Sequence, residues 1–199
     1  MVWRTVIADP CISIALVRNN GSVRVVLAGP KTRPYHTLLP SGYACTTIRL
    51  KPGVFLKSFP TQKLIDNSFT LPVDSESRFW IEGTHLQFPD FEHVELLIGQ
   101  LHDLECLGYE MPSGSHAQTT DHLSLRTHAR RVRRSTGLSP YKLYQLRRMH
   151  QVLRLLKRGV SAAEVASELA FVDQSHLIRA SRQFLGHTPK QLASLPQTP

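Results

Sequence analysis

At 199 residues with 41% apolar content, the chain is sized for one domain or two small ones with ordinary cores. No apolar run approaches the roughly eighteen residues a membrane span needs, and Asp9 and Pro10 precede the first apolar run, unlike a signal peptide, so no membrane partner and a cytoplasmic location are expected. The formal net charge of +9 is unevenly spread: residues 1–114 carry ten Lys and Arg against eleven Asp and Glu, and residues 115–199 carry fourteen against four. A one-sign field on one module suits a phosphate backbone, and a solvated basic face is the plainer alternative.

From Thr5 to about Leu50 the chain reads as short β-like runs. CISIALV and VRVVLAG flank RNNGS, whose Asn20-Gly21 predicts a hairpin, and PSGYACTTIRL gives a third strand. Three helical signals follow. KPGVFLKSF has a proline at its first turn, TQKLIDNS is short, and FEHVELLIGQLHDLECLG repeats Phe91, Val94, Leu97, Ile98, Leu101 and Leu104 at helical spacing until Gly108 stops it. GYEMPSGSHAQTTD is poor in large apolar residues, and its first half reads as a linker. The expected organisation is α+β: a β-rich domain over 1–108 ending in a helix, a linker over 109–114, and an all-α domain over 115–199.

Cys11, Cys45 and Cys106 stand far apart without CxxC spacing, and the ten histidines never form HxxxH. Neither a metal nor another cofactor is expected, and no nucleophile and base pair is visible, so an enzyme is not expected.

The helical region repeats itself at an offset of forty-nine residues. GLSPYKL (137–143) returns as GHTPKQL (186–192), and Ser124 falls on Asp173, Arg130 on Arg179, Arg133 on Arg182, Gly137 on Gly186, Ser139 on Thr188 and Pro140 on Pro189. Ser124 and Asp173 can cap a helix start, and the glycine thirteen residues later can supply its left-handed end. A hydroxyl residue and proline then restart a helix. Before the second copy, SAAEVASELA offers Ser161 and Glu164 as a capping box, and FVD turns the chain into QSHLIRASRQFLG, which together read as a helix-turn-helix. Between the copies, PYKLYQLRRMHQVLRLLK sets Leu143, Leu146, Met149, Val152, Leu153 and Leu156 on one face of a long helix. Two such units on a rigid helix can enter successive major-groove segments about 34 Å apart, so one chain can read DNA asymmetrically without a dimer.

SLRTHARRVRRSTGLSP followed by SAAEVASELAFVDQSHLIRASRQFLGHTPKQL resembles the DNA-binding domain of the AraC/XylS family of transcription regulators, over about residues 115–195. The resemblance implies seven helices with two helix-turn-helix units joined by a long helix. It implies that the first reader helix presents Arg126, Ala129 and Arg130 to bases and the second Gln174, Ser175, Ile178 and Arg179. Arginine pairs with guanine, glutamine with adenine, and Ile178 suits a thymine methyl. Arg131, Arg133, Arg134, Arg182 and Lys190 read as phosphate contacts or solvated charge.

The chain departs from the family pattern at Ser181, where a core phenylalanine is usual, at Ala170, which replaces a turn glycine, and at His128, which replaces an inner leucine. SHAQTTDH (115–122), where the first scaffold helix is expected, has almost no apolar face. The N-terminal part resembles the end of a cupin-like sensor domain, begun partway through. If it keeps a pocket, Tyr35, His36, Tyr43, Cys45 and Arg49 are the strand residues to line it, although alternate strand residues serve equally as core or surface.

The reading is an effector-responsive regulator, an activator by family habit. Its partners are double-stranded promoter DNA, RNA polymerase, a small-molecule effector and a second copy as homodimer. The alternatives are a degenerate regulator or partner-binding protein without tight specific DNA binding, and a cysteine-based DNA-repair enzyme, which would need an activated thiolate.

Overall fold

A computed structural model describes residues 1–81, 83–89, 92–110 and 124–194. The chain opens with β1 (Val2–Val6), β2 (Ile12–Asn19), β3 (Ser22–Ala28), β4 (Tyr35–Leu39), β5 (Tyr43–Leu50) and β6 (Val54–Leu56). After them come α1 (Thr61–Leu64), β7 (Ser68–Leu71), the hairpin β8 (Arg78–Ile81) and β9 (Thr84–Gln87), α2 (Val94–Asp103) and β10 (Leu107–Tyr109). The rest is helical: α3 (Leu125–Thr136), α4 (Pro140–Lys157), α5 (Ala162–Glu168), α6 (Gln174–Leu185) and α7 (Pro189–Ser194). The molecule is thus α+β, with a β-rich N-terminal part and a helical C-terminal part.

β2 is central because both of its neighbours can pair with it along its length. The antiparallel order is β5-β2-β3-β7, with Ile14 opposite Leu27 on one side and Ile48 on the other. The β2–β3 turn uses Asn20 and Gly21 at φ 47° and 79°, the paired positive values that match a tight turn to strand twist. Ile14, Leu16, Val25 and Leu27 from this sheet meet Phe79 and Ile81 of β8 and Leu97 and Leu101 of α2 in the first core. β1 pairs with β4 in a separate ribbon, Trp3 opposite Leu38.

Two expected helices are altered. KPGVFLKSF contains β6, not a helix, because Val54, Phe55 and Leu56 find strand partners in Tyr109, Gly108 and Leu107. α2 stops at Asp103, and the chain turns through Glu105 at φ 52°, leaving Leu104 nearly half exposed. Gly108 therefore ends no helix: a Cβ there would lie 2.5 Å from the Phe55 ring, so its lack of a side chain lets β10 close on β6. TQKLIDNS does supply α1. Phe91 and the segment 115–122 lie outside the described residues.

The second core belongs to the helices. Leu143, Leu146, Met149, Val152 and Leu156 of α4 form its spine, with Val165 of α5, Leu177, Phe184 and Leu185 of α6 and Leu192 of α7 packed round it. Ala8 from the N-terminal part is buried in the same core, with Ile7 and Ile65 against it.

Candidate nucleic-acid interface

The repeated punctuation folds as two capped helices of equal length. Ser124 accepts the Thr127 N–H at 3.2 Å to start α3, and Gly137 ends it at φ 74°. Asp173 accepts the His176 N–H at 2.6 Å to start α6, and Gly186 ends it at φ 75°. α4 restarts on Ser139, whose hydroxyl accepts the Lys142 N–H, with Pro140 in the first turn. At α7 the Thr188 hydroxyl accepts the Gln191 N–H while Gln191 Oε1 accepts the Thr188 N–H. Each device satisfies N–H groups that a helix start leaves open.

Because both helices are twelve residues long between matching caps, equivalent positions face outward alike. Arg126 and Arg130 of α3 are exposed, as are Ser175 and Arg179 at the matching places of α6, with Ala129 and Ile178 half-buried between them. Arg133, Arg134 and Arg182 are exposed near the helix ends, Arg131 is half-buried, and Lys190 is exposed on α7. Gln174 and Ile178 share a groove of about 400 Å³ with Lys190, Ser161 and Gly159. The groove brings two residues read as base contacts beside one read as a phosphate contact. His128 is half-buried and Ser181 fully buried.

The helix-turn-helix of the second unit is α5, its turn and α6. The Ser161–Glu164 capping box starts α5, with both reciprocal bonds made. Hydrogen bonds from the Ser161 hydroxyl and then from its backbone N–H hold the Glu164 carboxyl below its ordinary value. After Leu169 the chain passes Ala170 at φ 54° and buries Phe171. A residue that the sequence reasoning missed supports this turn. Arg148 of α4 is 8% exposed, donates from Nε to the Leu169 carbonyl at 2.8 Å and lays its guanidinium 3.7 Å from the Phe171 ring centre. Its signal was an arginine between Leu146 and Val152 on the inner face of an amphipathic helix, a place that a cation takes only with partners.

The five strand residues considered for a ligand pocket fall on two sheets. Tyr35 and His36 lie exposed on the β1–β4 ribbon, with His36 Nδ1 3.1 Å from the Thr5 hydroxyl. Tyr43, Cys45 and Arg49 lie on β5, at the edge of the four-stranded sheet. Arg49 is ion-paired with Asp9 and reaches the Cys11 sulfur. Tyr35 lines a surface cleft of about 450 Å³ with Lys31, Arg33 and Ser68. Burial first, then the Asp9 carboxylate, pushes the Cys11 thiol up to about 12, the opposite of nucleophile activation. No described helix is long and apolar enough to cross a membrane. Among the described residues, no group of three His, Cys, Asp or Glu side chains is placed to hold a metal ion.

Comparison with protein families matches residues 121–194 to the model described as a helix-turn-helix domain. Comparison with curated proteins and with solved structures returned no match.

Proposed function

We propose that this chain, whose residues 121–194 belong to the AraC-type helix-turn-helix domains, is a transcription regulator that reads two blocks of one DNA duplex. The observation that carries the reading is the equivalence of α3 and α6: same length, matching cap positions, and Arg126, Ala129 and Arg130 at the positions of Ser175, Ile178 and Arg179. α4, with 18 residues between them, spans about 27 Å, the order of one helical turn of DNA. In this reading Arg126, Ala129, Arg130, Gln174, Ser175, Ile178 and Arg179 meet base edges. Arg131, Arg133, Arg134, Arg182 and Lys190 meet phosphates, which position the chain without carrying sequence information.

The β-rich part, residues 1–108, senses an effector or pairs two copies, and 115–199 carries the readers. The Tyr35 cleft, lined also by Lys31, Arg33 and Asp66, supports a site for a small polar effector. An effector shifts the regulator only by binding its active and inactive arrangements unequally. Activation through RNA polymerase is the mode that goes with this domain type.

Selection of bound duplexes from a random DNA pool by the full chain, at near-physiological salt, tests the proposal. An enriched asymmetric site with two blocks about one turn apart is expected. Binding that enriches no sequence and vanishes as salt rises overturns it in favour of a degenerate regulator, the reading that the buried Ser181 hydroxyl favours.

A further inference from the structure

The last carbonyls of a helix have no partner within it. In both reader helices the N-terminal part supplies one. On α3, Gly137 N–H donates to the Arg133 carbonyl at 2.8 Å, Gln62 Nε2 adds a second bond to that oxygen at 3.2 Å, and the Thr61 hydroxyl donates to the Arg134 carbonyl at 2.6 Å. On α6, Gly186 N–H donates to the Arg182 carbonyl at 3.2 Å, and Ala8 N–H donates to the Phe184 carbonyl at 2.9 Å. The Ala8 carbonyl accepts from His150 Nε2 of α4 at 2.8 Å, which requires the proton on that nitrogen. One residue between β1 and β2 is thereby tied to both α4 and α6.

The repeated glycines are part of this contact. A Cβ at Gly137 would lie 2.7 Å from the Thr61 carbonyl oxygen and 3.0 Å from the Ile65 side chain. One at Gly186 would lie 3.2 Å from the Thr5 side chain and 3.3 Å from Pro34. Each glycine ends its helix at positive φ and also leaves room for the N-terminal part.

The two readers differ in what else holds them. α6 buries Leu177, Ala180, Phe184 and Leu185 and packs against α4, α5 and α7. α3 buries Val132, Ser135 and Thr136, and both hydroxyls bond back to carbonyls of α3 itself. Among the described residues, α3 rests on α4, on α1 and on β6, and two of those three belong to the N-terminal part.

We infer that the N-terminal part is a second brace between the readers, parallel to α4. It grips α6 through Ala8 and α3 through Thr61 and Gln62, and so sets the placement of the first reader relative to the second. Thr61 is then a positioning residue for the first DNA block, although it lies far from any base contact in the sequence. The DNA consequence rests on the two-block reading above. The brace itself is a property of the folded chain and can be measured without DNA.

The experiment compares the full chain with Thr61→Ala, which removes the donor, and Thr61→Ser, which restores it. In the first arm, spin labels at the exposed positions 126 and 175, in a background with Cys11 and Cys45 replaced by serine, report the distance between the reader helices. One narrow distribution is expected for the unaltered position 61 and for Thr61→Ser, and a broadened or displaced one for Thr61→Ala. Equal distributions in all three overturn the brace. In the second arm, each chain is titrated with duplexes carrying the selected site at varied block spacing, and with the second block alone. Thr61→Ala is expected to lose the preferred spacing and about tenfold or more in two-block affinity, the scale of at least one lost base-pair contact, with single-block affinity unchanged. Retained spacing preference in Thr61→Ala overturns the role in DNA reading. If the unaltered chain selects no site at all, the two-block reading fails, and the label distances still decide the brace.

Discussion

At position 181 a hydroxyl sits in the helical core with no exposed surface and no hydrogen-bond partner. A buried hydroxyl without a partner loses its solvation and gains nothing in return. Ser181→Ala should therefore stabilise the helical part by about 1 kcal/mol, read as a raised urea midpoint with unchanged slope. A lowered midpoint would mean that the hydroxyl has a partner. Ala170 is the second misfit: its φ of 54° is a left-handed conformation in which a Cβ crowds the following carbonyl. Ala170→Gly should gain about 1 kcal/mol by the same measurement, and any loss would show the turn to be unstrained. Cys11 carries the third residue-scale expectation. Its neutral form is favoured in the fold, so its contribution to stability is fully present below the ordinary thiol value of 9.0 and is lost as pH rises toward about 12. At pH 8 a thiol reagent followed by mass spectrometry should modify the exposed Cys45 well before Cys11; a fast Cys11 would revive a nucleophilic role.

Among the elements, α3 and α6 place their arginines in different turns. Arg179 sits in the second turn of α6, on the outward face between Ser175 and Arg182, whereas Arg133 lies in the last turn of α3. Arg179→Ala should cost about 1–3 kcal/mol at one base position, read by competition among duplexes altered at single positions. Arg133→Ala should weaken all duplexes alike. Identical profiles from the two substitutions would sink the division into base and phosphate contacts. The elements themselves were unevenly legible. Caps, glycine stops and the Asn20-Gly21 turn are local devices, and the chain wrote them in adjacent residues. KPGVFLKSF misled because a proline and short apolar spacing fit a helix start, while the partner that makes it β6 is β10, some fifty residues onward.

For the whole molecule, the charge asymmetry sets how binding answers to salt. Five side chains are assigned to phosphates, so log affinity should fall with log salt at a slope of about −4 to −5, and Arg133→Ala should flatten that slope by about one. A slope near zero in a binding titration from low to physiological salt would remove the phosphate contacts altogether. The N-terminal part contributes little to this field, since its basic and acidic residues nearly balance. Its contribution is mechanical, through Ala8, Thr61 and Gln62 at the ends of α6 and α3.

Residues near one another along the chain account for much of this molecule. The helical punctuation, the long α4 with its apolar face, the α+β division and the placement of positive charge all follow from short-range pattern, and the helix-turn-helix match covers residues 121–194. Contacts across long separations account for the rest. Arg148 supports the turn at Leu169 and Phe171 because α4 packs beside it, which no local pattern predicts. Gly137 and Gly186 read as helix stops from their place in the repeat, but the close approach of Thr61 and Thr5 exists only once two parts of the chain have folded against each other. Helix ends are defined locally by the residue that stops them, and the donors that satisfy their last carbonyls can come from anywhere in the fold.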